Sequence, residues 1–107
     1  MPLSSRQRKH LRSLAQRLEP AVWVGDGGLN AGVRGALEEA LGRHELVKVR
    51  MRAPSDKRAL AAELAVAGRA ELCGLIGHTA ILYRANPDAA KRRIQLPAED
   101  ARREAGA

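Results

Sequence analysis

Aromatic residues are almost missing from this sequence: it has no phenylalanine, one tryptophan (Trp23) and one tyrosine (Tyr83). Folds that read single-stranded nucleic acid by stacking several bases need several rings on one face. Two rings cannot supply such a platform. Cysteine is nearly absent too. A lone Cys73 excludes an internal disulfide and suits a reducing, cytoplasmic setting, where it reads as a small apolar strand residue. No long apolar stretch or lipidation signal is present, which argues against a membrane partner. Acids are scarce: 12 Asp and Glu stand against 19 Lys and Arg, a formal net charge of +7. That balance favours a polyanion, through phosphate attraction and release of condensed counterions. If the polyanion is nucleic acid, the grip must come from cations and backbone amides.

The 107 residues fit one domain with one modest core. The stretch that organises it is Val22-Trp23-Val24-Gly25-Asp26-Gly27-Gly28-Leu29-Asn30. An apolar run stops at a glycine turn and reaches a residue suited to cap a helix. A strand, a turn and a helix start leave bare N–H groups beside a partly positive helix end. A tight connection without a ligand has the same pattern.

Ser4 to Leu18 reads as a helix, with Ser4 and Gln7 at capping-box spacing and Leu11, Leu14, Ala15 and Leu18 on one stripe. Arg6, Arg8, Lys9, Arg12 and Arg17 occupy the rest of its circumference, unrelieved by any acid before Glu19. Solvated helix faces usually mix both signs. Acid-poor starts also occur in organellar transit peptides, but this segment has a cap, a stripe and a stop at Pro20. Ala21–Val24, wholly apolar, reads as a central strand. A second helix follows from Leu29 to Leu41, with Gly32 and Gly35 read as permitting close helix–sheet packing and Gly42 as its stop. Glu45 to Arg52 alternates: Val47, Val49 and Met51 face one way, Lys48, Arg50 and Arg52 the other. Those cations are either a binding row or an edge strand charged against aggregation.

Pro54 and Ser55 open a third helix that stops at Gly68. Strands around Glu71–Ile76 and Ala80–Arg84 join through the turn Gly77-His78-Thr79. After Asn86-Pro87-Asp88 the remainder reads as a mobile tail on which Ile94 and Leu96 dock only weakly. Deleting 98–107 is expected to leave the unfolding midpoint nearly unchanged. The order α-β-α-β-α-β-β predicts an α/β domain over 1–97. Two right-handed crossovers and a final hairpin make a four-stranded mixed sheet with packed helices, and 98–107 is left as a flexible tail.

No catalytic constellation is visible. His10, His44 and His78 lack metal-ligand spacing, and Cys73 and His78 lack a third orienting group. The turn has neither the Lys-Ser/Thr ending of a P-loop nor the third glycine of a dinucleotide fingerprint.

Four stretches fall in a familiar order. They are Leu3-Ser4-Ser5-Arg6-Gln7-Arg8-Lys9-His10-Leu11, Val24-Gly25-x-x-Gly28-Leu29, His44-Glu45-Leu46-Val47-Lys48-Val49, and Gly77-His78-Thr79-Ala80-Ile81-Leu82-Tyr83-Arg84. Together they resemble the CRM domain, the chloroplast RNA splicing and ribosome maturation module, in its stand-alone bacterial YhbY-like form. The resemblance covers Leu3 to about Leu96. It implies an RNA-binding domain without catalytic activity or cofactor. Its fold would be similar to the C-terminal domain of translation initiation factor three, and its partner rRNA in precursors of the large ribosomal subunit. It carries an RNA contact onto Gly25, Gly27 and Gly28, by analogy with loops that clamp a nucleic-acid backbone. Two positions depart from it. Asp26 stands where relatives have a basic or neutral residue, and His78 where lysine is common.

The expectation is a monomeric, cytoplasmic accessory factor for large-subunit assembly, with no membrane or small-molecule partner. Its RNA-binding residues would be Gly25, Asp26, Gly27, Gly28, Arg6, Arg8, Lys9, Arg12, Lys48, Arg50, Arg52, His78 and Arg84. An integral ribosomal or general nucleic-acid-binding protein, or a module meeting an acidic protein, remain the alternatives.

Overall fold

The structure is a computed structural model and describes residues 3–98. It contains α1 (Ser5–Ala15), β1 (Val22–Val24), α2 (Ala31–His44), β2 (Leu46–Met51), α3 (Lys57–Gly68), β3 (Glu71–Ile76), β4 (Thr79–Tyr83) and a short 3-10 turn, Ala89–Lys91. The four strands form one mixed sheet in the order β1-β2-β4-β3, with β1 parallel to β2 and the other neighbours antiparallel.

The helix starts form where the sequence places capping side chains. Ser4 Oγ accepts the Gln7 N–H at 3.1 Å while Gln7 Oε1 accepts the Ser4 N–H at 3.0 Å, a reciprocal capping box. Helix α1 ends at Ala15, short of Leu18. The chain tightens there into i→i+3 bonds such as Leu18 N–H to Ala15 O at 3.0 Å. Helix α3 starts at Lys57, capped by Asp56, so Pro54 and Ser55 belong to the loop before it.

Two apolar layers lie on the two faces of the sheet. On one, α2 and α3 bury Val33, Leu37, Leu41, Ala61 and Leu64 against Val22, Val24, Val47, Val49, Met51 and Leu82. On the other, α1 buries Leu11 and Ala15 against Leu46, Cys73, Ile81 and Tyr83. Cys73 alternates with Leu72 into this second layer, and a bulge between Leu72 and Gly74 places Gly74 opposite Ile81 on the same side.

The sheet corrects the sequence reading in two places. Strand β1 lies at the edge: its apolar alternation buries Val22 and Val24 but leaves Trp23 outside. The second crossover does not pair its strands directly, because β4 inserts between β2 and β3 and takes the hydrogen bonds of both.

Glycines are also reassigned. Gly32 and Gly35 face outward on α2, and a side chain at Gly35 would meet nothing within 4 Å. The close approach occurs at buried Gly68, where a Cβ would stand 2.7 Å from Leu41 Cδ1 and 3.1 Å from Leu37 Cδ2. Helix α2 runs through Gly42 and stops at Glu45, whose φ is +59°. A non-glycine residue holds this positive-φ conformation because tertiary bonds fix it. Buried Glu45 accepts N–H bonds from Asn86 (2.7 Å), Arg93 (2.9 Å) and Ile94 (3.2 Å).

Those bonds also strap down the segment read as mobile. Ile94 and Leu96 pack against the second layer, and Gln7 Nε2 donates to Pro97 O at 3.1 Å. Of the tail expected at 98–107, residues 99–107 lie outside the described residues.

Candidate nucleic-acid interface

Because β1 and β2 run parallel, their carboxyl ends open at the same edge, and the two helices that follow them begin there. Asn30 caps α2 by accepting the Val33 N–H at 2.9 Å, and Asp56 caps α3 by accepting the Ala59 N–H at 3.1 Å. The β3–β4 hairpin closes at this edge too: His78 O accepts the Met51 N–H at 2.7 Å. The Arg52 N–H donates to Val24 O at 2.9 Å. Gly25, Asp26, Gly27, Gly28, Arg52 and His78 are thereby brought to one end of the sheet.

The glycine turn is a hydrogen-bonded one, with the Gly28 N–H donating to Gly25 O at 3.0 Å. Gly28 is favoured as glycine by its φ of +64°, and a Cβ at Gly27 would stand 2.9 Å from Nδ2 of the capping Asn30, which would have to shift. Gly25 has neither requirement: its φ is not in the left-handed region and nothing lies within 4 Å of a Cβ built there. Beside it a cleft of about 410 Å3 is lined by Gly25, Asp26, Arg52, Pro54, Ser55 and Asp56. The N-terminus of α3 and Arg52 place positive charge in this cleft. Asp26 and Glu63 oppose it, while the Asp56 carboxylate is already engaged in its cap.

The candidate cations divide into two groups. Arg12 lies across Gly74 and donates to Cys73 O at 2.8 Å, which docks α1 on β3. Arg8 closes on Leu3 O at 2.5 Å and reaches Ser5 Oγ at 3.3 Å. Lys48 Nζ donates to Leu18 O at 3.1 Å, and Arg84 is locked to Glu38 and to Gly68 O. All four are tied to the fold. Arg6, Lys9, Arg50 and Arg52 are exposed, and their side chains hold no hydrogen bond or ion pair among the described residues. Arg50 and Arg52 adjoin the glycine turn. Arg6 and Lys9 project from α1 on the side away from Leu11, a separate part of the surface.

Two features escaped the sequence reading. A second basic cleft, of about 530 Å3, lies at the far end of α2, lined by Arg43, His44, Lys91 and Arg93. The run Lys91-Arg92-Arg93 was its signal, hidden by assigning those residues to a tail. The other is the exposure of Trp23, which the apolar run around it concealed. Cys73 is buried, and burial pushes its thiol pKa up to about 12, so it is protonated and unreactive near neutrality.

The sequence and the fold are similar to those of known proteins. Residues 3–84 match the family model described as the CRS1 / YhbY (CRM) domain. A probable RNA-binding protein of Pseudomonas aeruginosa is 40% identical over 89 residues, covering 81% of this chain and 86% of the relative. An RNA-binding protein of Haemophilus influenzae is 38% identical over 98 residues, covering 89% and 95%. The solution structure of a Staphylococcus aureus hypothetical protein, described as a candidate RNA binding protein, superposes with a TM-score of 0.77 at 34% identity. It covers 89% of this chain and 99% of that one.

Proposed function

The chain belongs to the CRS1 / YhbY (CRM) domain family, and we propose that it is an RNA-binding protein that grips the sugar-phosphate backbone at the edge formed by the glycine turn, Arg50, Arg52 and His78. The observation that carries this reading is Gly25. The fold does not require glycine there, and the bare backbone shares a cleft with Arg52 and the N-terminus of α3. A glycine with no structural demand suits close approach of an anionic backbone. The relatives named for RNA binding support the same partner. Arg6 and Lys9 on α1 would supply a second set of phosphate contacts, while Arg8, Arg12, Lys48 and Arg84 act through the fold. The protein works by binding alone, as a monomer in the cytoplasm, without catalysis or cofactor.

The RNA we propose is rRNA in precursors of the large ribosomal subunit, with the protein as an accessory assembly factor. What supports this finer reading is the resemblance to the stand-alone bacterial form of the domain. Sucrose-gradient fractionation tests it: the protein should sediment with precursor particles, leave mature subunits, and be released by nuclease. Residence on mature subunits would make it an integral ribosomal protein, and nuclease-resistant association would indicate a protein partner. With Arg6, Lys9, Arg50 and Arg52 neutralising phosphates, log affinity should fall against log salt with a slope of about −3 to −3.5.

A further inference from the structure

One row of side chains crosses all four strands on the face that α1 only partly covers. The register pairs Trp23 with Arg50, Arg50 with Thr79, and Thr79 with Ile76, so these four point to the same side. Helix α1 packs over the other half of this face, on Leu46, Ile81, Tyr83 and Cys73. The row beyond it stays open: Trp23 is 66% exposed, Ile76 is 59% exposed, and Arg50 is exposed between them. Trp23 lies two residues before Gly25, so the row borders the glycine turn.

Three properties of the row point to one kind of ligand. An indole with its ring in solvent offers a flat π-face on which any base can stack. The residue paired with it across the strands is a guanidinium free of other partners among the described residues, and none of the four is acidic. Thr79 and Ile76 extend the row with a hydroxyl and an apolar surface. An aromatic face beside an unengaged cation suits a base and its phosphate. It is poorly suited to an acidic peptide, which has no use for the ring.

We infer that Trp23 is a stacking seat for one unpaired nucleobase, with the Arg50 guanidinium beside it meeting the adjoining phosphate. This rests on the RNA-binding reading above and adds to it a preference for single-stranded RNA, since a duplex keeps its bases stacked on each other. Tyr83 is 5% exposed and takes no part. The seat is a single ring and not a platform.

Trp23 is the only tryptophan, so its fluorescence reports the site directly. The full chain is titrated with oligoadenylate and, separately, with the oligoadenylate–oligouridylate duplex. Indole emission is followed in one set, and the anisotropy of end-labelled RNA in another. The single strand should quench the emission in step with the anisotropy, and the duplex should not quench it. Trp23→Ala should weaken single-strand binding about tenfold, the effect of losing one stacked base, and leave duplex binding unchanged. Trp23→Phe should keep most of the affinity. Arg50→Ala should weaken both ligands. Both Trp23 variants should keep the wild-type melting temperature, because the ring is exposed.

Binding seen by anisotropy with unchanged indole emission, or equal affinity of Trp23→Ala for the single strand, would overturn the stacking seat and leave RNA binding intact. No anisotropy change with either RNA at low salt would overturn both. Emission that shifts with protein concentration and not with RNA would assign the row to contact between copies of the chain, and would also overturn the seat.

Discussion

Arg84 and Glu38 meet in a two-pronged ion pair, Nη1 to Oε1 at 2.9 Å and Nη2 to Oε2 at 2.8 Å, with Nη1 also donating to Gly68 O at 2.9 Å. One side chain at the end of β4 thus ties α2 to the C-terminus of α3. The Glu38 carboxyl is held below its ordinary range, chiefly by the Arg84 hydrogen bonds. Arg84 sits in a stretch that resembles the family motif, yet its charge is already partnered.

Arg84→Ala is therefore expected to act on stability. Buried Gly68 O loses its donor, which costs about 1–3 kcal/mol. RNA affinity, measured where the variant is fully folded, should stay within twofold of wild type. Arg52→Ala should do the reverse, weakening RNA binding and leaving the urea midpoint unchanged. A large affinity loss in Arg84→Ala would move this arginine into the interface.

Glu45 makes the pH behaviour predictable. Burial by itself would raise its pKa, but the N–H groups of Asn86, Arg93 and Ile94, with the Arg92 charge, hold it below the ordinary carboxylate range. A folded-state pKa that is depressed gives stability that is complete above the unfolded value and is lost as pH falls through the folded one. Glu45→Gln should cost about 1–3 kcal/mol near neutrality, by weakening bonds to a charged acceptor. The gap between variant and wild type should close in acid, as pH falls through the depressed folded-state pKa and the carboxylate protonates. Urea titrations at the two pH values check this, and a gap independent of pH would remove the carboxylate from the explanation.

The strap itself should matter. A chain ending at Ala85 loses the partners of Glu45 and the packing of Ile94 and Leu96. Partial burial of two such side chains is worth about 2 kcal/mol or more. Its melting temperature should fall well below that of a chain ending at Ala98. Equal melting would make the strap dispensable.

Two glycines should respond with opposite sign. Gly35→Ala replaces an exposed helix-interior glycine with open space around it, and should stabilise by roughly 1 kcal/mol. Gly68→Ala forces a methyl against Leu41 and Leu37, and overpacking of that kind costs about 1–3 kcal/mol. Denaturant midpoints of the two variants decide which glycine serves packing.

Asp26 sits exposed in the turn, and its side chain makes no hydrogen bond among the described residues. The loop therefore does not depend on it for shape. If a phosphate lies about 5 Å away, the repulsion is roughly 1–3 kcal/mol at low salt. Asp26→Lys should bind RNA about tenfold more tightly at low salt, and Asp26→Asn by a smaller factor of the same sign. The advantage should shrink as salt rises. Unchanged affinity in both variants would place the RNA away from this turn.

Local patterns in the sequence determined the element types and their order. Ser4 with Gln7, Asn30 before α2, the alternation of β2 and Gly77 in the hairpin each act over a few residues, so they are legible in the chain alone. Tertiary contact decided the rest. Nothing near Ala21–Val24 in the sequence says that β4 takes the place beside β2 and leaves β1 at the edge, with Trp23 in solvent. The cations look alike as letters. Which are free depends on carbonyls and carboxylates brought from elsewhere, as with Arg12 and Cys73 O across 61 positions or Arg84 and Glu38 across 46. Glu45 reads as an ordinary acid after a helix until Asn86, Arg93 and Ile94 fold back onto it. The sequence specifies local conformation through the backbone, while the partners of a long polar side chain are set only when distant segments pack.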